Sequence, residues 1–123
     1  MTTLCSEFAD NASLLNWRDS LGRTPLNIAC ACDRHEAASV LLGTAGVDLN
    51  LADNHDQSPL WIAAISGYTQ CVRVLLSAKE RGLDLNQKPT GGGHIGKTPL
   101  KIARERKYAE VVALLEGAGA RDV

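Results

Sequence analysis

The sequence predicts an all-α stack of repeated helix pairs joined by hairpin-like loops, and three recurrences predict it. Thr24-Pro-Leu-Asn-Ile-Ala29 returns as Ser58-Pro-Leu-Trp-Ile-Ala63 and again as Thr98-Pro-Leu-Lys-Ile-Ala103. Val40-Leu-Leu42 returns as Val74-Leu-Leu76 and Ala113-Leu-Leu115. Val47-Asp-Leu-Asn50 closes the first unit and Leu83-Asp-Leu-Asn86 the second. The opening phrases lie 34 and then 40 residues apart. A period of that size belongs to a stacked array in which each unit buries its apolar face on its neighbours.

The elements follow in chain order. Residues 4–15 read as a lone capping helix, because Asn16 stands where a preceding unit's closing Asn would fall. Ser or Thr before Pro starts a helix: the hydroxyl caps a free backbone N–H, and Pro at the first helical position lacks an N–H that would go unpaired. That predicts short first helices over about 25–32, 59–66 and 99–106. Apolar residues at helical spacing, such as Val111, Val112, Leu114 and Leu115, predict second helices over about 35–43, 69–77 and 109–117. Asp-Leu-Asn then leads into an extended turn.

The phrases resemble the ankyrin repeat. The family's Thr-Pro-Leu-His appears as Thr24-Pro-Leu-Asn27, Ser58-Pro-Leu-Trp61 and Thr98-Pro-Leu-Lys101. Its Gly-His between the helices appears as Gly67-Tyr68, and weakened as Asp33-Arg34 and Lys107-Tyr108. Its Val-Val-x-Leu-Leu stands intact at Val111 to Leu115, and its Asp-Val-Asn as Asp48-Leu-Asn50 and Asp84-Leu-Asn86. The resemblance implies an ankyrin-repeat solenoid filling one domain over 1–123: a cap over 1–18, a first repeat over 19–52, a second with a long loop over 53–92, and a third with the closing cap over 93–123. Two insertions depart from the family, about Lys79 to Arg81 and another after Asn86, and Val47 to Asn50 arrives one residue late after the first unit. The His of the opening phrase is missing in all three units, which puts its turn-bracing hydrogen bonds in doubt.

Composition narrows the function classes. Hydrophobic residues at 45% supply a core. Aromatic residues at 4% are too few for a base-stacking platform, and a net charge of −1 provides no global field for nucleic acid. The charge is nonetheless split, about −5 over residues 1–62 and +4 over 63–123. Its positive end is Lys97, Lys101, Arg104, Arg106 and Lys107, either a solvated cap or a contact for an acidic partner. The N-terminus carries Glu7 and Asp10 without a basic stretch, so it is not a secretory signal. No run is apolar enough to span a bilayer. Cys5, Cys30, Cys32 and Cys71 then read as reduced thiols of an intracellular protein, cytoplasmic or nuclear.

No catalytic, cofactor or metal site is expected. Cys30 and Cys32, two apart on a helix, point to nearly opposite sides and cannot chelate together. His35, His55 and His94 fall in different units. Gly91-Gly-Gly-His-Ile-Gly-Lys-Thr98 matches the phosphate-binding pattern G-x-x-x-x-G-K-[ST], but Leu83 to Thr90 before it is no apolar strand. A nucleotide- or phosphate-binding module using that segment is the alternative function. A regulatory part of a larger protein is another, against which Met1 and the polar last unit argue.

By resemblance, a protein partner binds at the hairpin tips and along the concave face of the first helices, with the chain acting as a monomeric adaptor, scaffold or inhibitor. Carried over by position, that face is Ser20, Leu21, Arg23 and Cys32 in the first unit. It continues as Asn54, His55, Gln57, Trp61, Ile65 and Ser66, then His94, Ile95, Lys97, Glu105 and Arg106. Trp61 is expected half-buried, Leu21, Ile65 and Ile95 form an apolar stripe, and the Gly91–Gly96 insertion projects from the same edge.

Overall fold

A computed structural model describes residues 18–44 and 47–121; the expected capping helix over 4–15 lies outside them. Six α-helices are described: α1 Pro25–Ala31, α2 His35–Leu42, α3 Pro59–Ser66, α4 Thr69–Leu76, α5 Pro99–Glu105 and α6 Ala109–Ala118. Two 3-10 turns, Lys79–Arg81 and Gly92–His94, fall in the two insertions. No strand forms among the described residues.

The helix starts repeat atom for atom. Thr24, Ser58 and Thr98 are extended, and their hydroxyl oxygens accept the N–H of Asn27, Trp61 and Lys101. The missing His is replaced in two ways. In the first unit Asn27 Oδ1 accepts from both the N–H and the hydroxyl of Thr24, completing a capping box. In the second unit the Trp61 indole N–H donates across to the carbonyl of Lys97, 2.9 Å away in the next unit.

The inner helices end alike as well. Asp33, Gly67 and Lys107 occupy one position and share a left-handed backbone, with φ of 56, 71 and 62°. The N–H groups of Arg34, Tyr68 and Tyr108, one residue on, reach back to the carbonyls of Ala29, Ala63 and Ala103. This is the hydrogen-bonded left-handed cap that reverses the chain into the outer helix.

Packing makes two rows. α1 packs on α3 and α3 on α5, forming an inner row; α2, α4 and α6 form an outer row behind it. Leu26, Leu60 and Leu100 from the inner helices and Leu41, Leu75 and Leu115 from the outer ones fill the layer between, all at most 2% exposed. Ala29, Ala63 and Ala103 are fully buried beside them, where larger side chains would push the rows apart. On the open face of the last unit the pattern changes. Lys101, Arg104 and Glu116 occupy the positions that Trp61, Ala64 and Leu76 hold one unit earlier, and Arg104 pairs with Glu116.

The insertion at Lys79–Arg81 has a structural task. The Lys79 ammonium donates to the carbonyl of Ala118 at the end of α6, 2.8 Å away, and Arg81 donates to the carbonyl of Leu42 at the end of α2. The middle unit thus places a cation on the C-terminus of the outer helix to either side, where carbonyls lack intrahelical partners. Lys79→Met and Arg81→Met are each expected to cost about 0.5–1 kcal/mol, read by urea denaturation, with a smaller loss at high salt.

Candidate partner-binding face

The first two hairpin tips are each organised by a carboxylate. Asp19 Oδ1 accepts the N–H of Leu21 and of Arg23, both at 2.9 Å, and Oδ2 accepts Arg23 Nε at 2.8 Å. Asp53 repeats this one unit later, with His55 N–H at 2.9 Å and Gln57 N–H at 3.0 Å. Both are Asx-type turns that hold the tip residues outward. The tips are also tied to one another. Asn54 N–H donates to Leu21 carbonyl at 3.0 Å and Asn54 Nδ2 to Ser20 carbonyl at 3.2 Å. Thr90 N–H then donates to His55 carbonyl at 3.0 Å. The two Asp residues sit 34 apart in the sequence, a signal the sequence reading passed over.

The Asp19 geometry sets a pH dependence. Burial acts to raise its pKa, but the hydrogen bonds from Arg23 and Leu21 outweigh it, so its carboxyl titrates below the ordinary 3.8. A depressed folded value stabilises the chain above the unfolded value and loses that contribution as pH falls through the folded one. The melting temperature is therefore expected to drop on acidification below about pH 4. Asp19→Asn should lower it at neutral pH and shallow the acid slope, as melts between pH 2 and 7 will read.

The remaining face residues sort by exposure. Leu21 and Ile95 are 58% and 63% exposed and occupy the same tip position in their units, with exposed His55 between them. Ser20, Asn54, Glu105 and Arg106 are exposed; Gln57, Ser66 and His94 are half-buried. Arg23 is committed to Asp19, and Lys97 to Glu105 at 2.7 Å. The Lys97 ammonium holds the Glu105 carboxyl below its usual range. Asn50 spends its side-chain amide on the next unit, donating to Gly82 carbonyl and accepting Asp84 N–H.

Four expectations change. Trp61 is 2% exposed, not half-buried: its ring lies under the third hairpin, 5.7 Å from the His94 ring, and its N–H is already spent. Ile65 is half-buried against the core, so the apolar stripe contracts to Leu21 and Ile95. The Gly91–Gly96 insertion projects only beyond its start: Gly91 lies so close on His55 that a Cβ there would lie 2.6 Å from Nδ1, and a 3-10 turn then carries the chain out to the exposed Ile95. Finally, Cys32 is disulfide-bonded, not a reduced thiol, whereas Cys30 and Cys71 are free and fully buried.

The phosphate-loop pattern is put to other uses. Thr98 is fully buried and its hydroxyl caps α5, while Lys97 is held by Glu105. The described residues contain no group of three or more side chains able to hold a metal ion.

A family model for ankyrin repeats, spanning three copies, matches residues 2–89 and 45–122. The chain belongs to the ankyrin-repeat family. It is 36% identical to chicken Inversin over 114 residues, which is 93% of this chain and 10% of that protein. It is 35% identical to human NF-kappa-B inhibitor alpha over 109 residues, 88% of this chain and 33% of that one. A third relative, the yeast Target of rapamycin complex 2 subunit AVO2, is 35% identical over 77 residues, 63% of this chain and 18% of that protein. The chain thus spans a third or less of the length of these relatives. The expected all-α ankyrin stack is the observed architecture. Among the described residues no helix of this ankyrin array is long and apolar enough to cross a membrane.

Proposed function

We propose that this chain is a non-catalytic protein-interaction module that holds its partner on the hairpin tips and the adjoining ends of the inner helices. One observation carries the reading. Leu21 and Ile95 are presented to solvent at equivalent tips, the first braced by the Asp19 Asx turn and the last by the backbone bonds of Gly96 to Pro89 and Lys97 to His94, and neighbouring tips are tied from one unit to the next. Large apolar side chains held rigidly outward gain nothing for the monomer and lose little entropy when covered. The relatives support the class, since one of them bears the name of an inhibitor. Acting as adaptor, scaffold or inhibitor are the roles such a face serves. The free thiols of Cys30 and Cys71 favour an intracellular setting, cytoplasmic or nuclear; the Cys32 disulfide weighs on the other side.

The test is capture of partners from native extract with the wild-type chain and with Leu21→Asp/Ile95→Asp, after circular dichroism has shown equal folding. Loss of specific partners from the variant supports the reading. An unchanged set overturns this face.

A further inference from the structure

Beyond the tips, the third unit carries a cluster of basic side chains. The ion pairs Lys97–Glu105 and Arg104–Glu116 neutralise part of it. Lys101, Arg106 and Lys107 are exposed and make no ion pair among the described residues. These three cations lie at the start and the end of α5. Ile95, the most exposed large apolar side chain described, stands on the hairpin leading into that helix.

We propose that this surface docks an acidic segment of the partner protein, with an apolar residue against Ile95 and carboxylates on Lys101 and on Arg106–Lys107. This rests on the module reading above and names the partner's chemistry. The spacing follows from the helix. Lys101 and Arg106 are five residues apart, about 7.5 Å along α5 and roughly 140° round it. A segment reaching both must pass round the helix end, so in an extended chain the two carboxylates should stand about four to six positions apart. The split of charge along the stack, negative in the first half and positive in the second, orients an acidic chain toward this end during approach.

A protein segment fits better than nucleic acid. Glu105 is fixed by Lys97 in the middle of the patch, and its carboxylate opposes a uniformly charged phosphate backbone. A peptide can step over it. Ile95 likewise offers a phosphate nothing and an apolar side chain a contact.

A displayed library of random peptides about 12 residues long, panned on the whole chain, reads the class directly. The expected result is enrichment of sequences with an apolar residue followed by spaced Asp or Glu. Their affinity should fall more than tenfold in Lys101→Glu/Arg106→Glu/Lys107→Glu, and steeply with added salt. The variant's melting curve, and unchanged binding of any tip-dependent neutral peptide, separate loss of the patch from loss of the fold. Neutral or basic selected sequences, no enrichment, or equal binding by the variant overturns the inference. So does a single-stranded RNA binding the patch as tightly as the best peptide. Neutral peptides that lose binding in Leu21→Asp/Ile95→Asp would leave the module reading standing while this one falls. If no peptide depends on tip or patch, both fall.

Discussion

Trp61→Ala is expected to destabilise the chain by about 4 kcal/mol, the typical cost of emptying a large buried aromatic site. The ring is 2% exposed and reaches from α3 under the third hairpin, so truncation leaves a void between two units that their backbones cannot close. It also strands the carbonyl of Lys97, which the indole N–H satisfies in the native chain. The melting temperature should fall by roughly 12–20 °C for a domain of this size. Trp61→Phe isolates the hydrogen bond: most of the ring remains, the donor is gone, and the loss should be nearer 1–2 kcal/mol. Both are read by urea denaturation followed by far-ultraviolet circular dichroism. A loss below about 1 kcal/mol for Trp61→Ala would show that the third hairpin does not rest on the ring.

Gly67→Ala should cost about 2–3 kcal/mol, for two separable reasons. Gly67 has φ of 71°, where a Cβ meets its own backbone at a cost of about 1–2 kcal/mol. The added Cβ would also stand 2.9 to 3.0 Å from three ring carbons of Tyr108, a half-buried ring of the next unit that packs against the core. The equivalent position in the last unit supplies the reciprocal experiment. Lys107 holds φ of 62°, and no further described unit packs over it. Lys107→Gly removes the strain without opening a cavity and should stabilise the chain by about 0.5–1 kcal/mol. Opposite signs at one repeat position are the expected signature; equal signs would mean that the left-handed cap is not what the position demands.

The repeat itself was legible because it is written in local chemistry. Thr24-Pro, Ser58-Pro and Thr98-Pro start helices by capping atoms within four residues, so the three inner helices begin where the hydroxyls predict. The outer helices could be read from the spacing of their apolar residues, and their observed bounds differ from the expected ones by one residue at the C-terminal end. Exposure at the tips was legible too, since Leu21, His55 and Ile95 share a place in the repeat.

What escaped the sequence depends on partners far along the chain. Trp61 looked half-exposed because its position usually braces its own turn; its burial comes from the third hairpin, 36 residues on by the Trp61–Lys97 hydrogen bond. The Gly91–Gly96 loop looked free because glycines permit many conformations. Its start is pinned because His55, in the preceding unit, presents its carbonyl to Thr90 and Gly91 and its ring to Gly91. Lys79 and Arg81 looked like tolerated extra length, yet they bridge 39 residues in opposite directions to reach the ends of the flanking outer helices.

The sequence by itself therefore determined the unit: a hydroxyl-capped helix and a second helix three times over, with a closing turn after the first two. Each of these depends on groups a few residues apart, and short-range chemistry is carried by order along the chain. Only the tertiary structure decided how the units meet, and so which side chains the stack consumes and which it leaves to a partner. Burial and hydrogen-bond satisfaction between units depend on distances that the spacing of residues along the chain does not set.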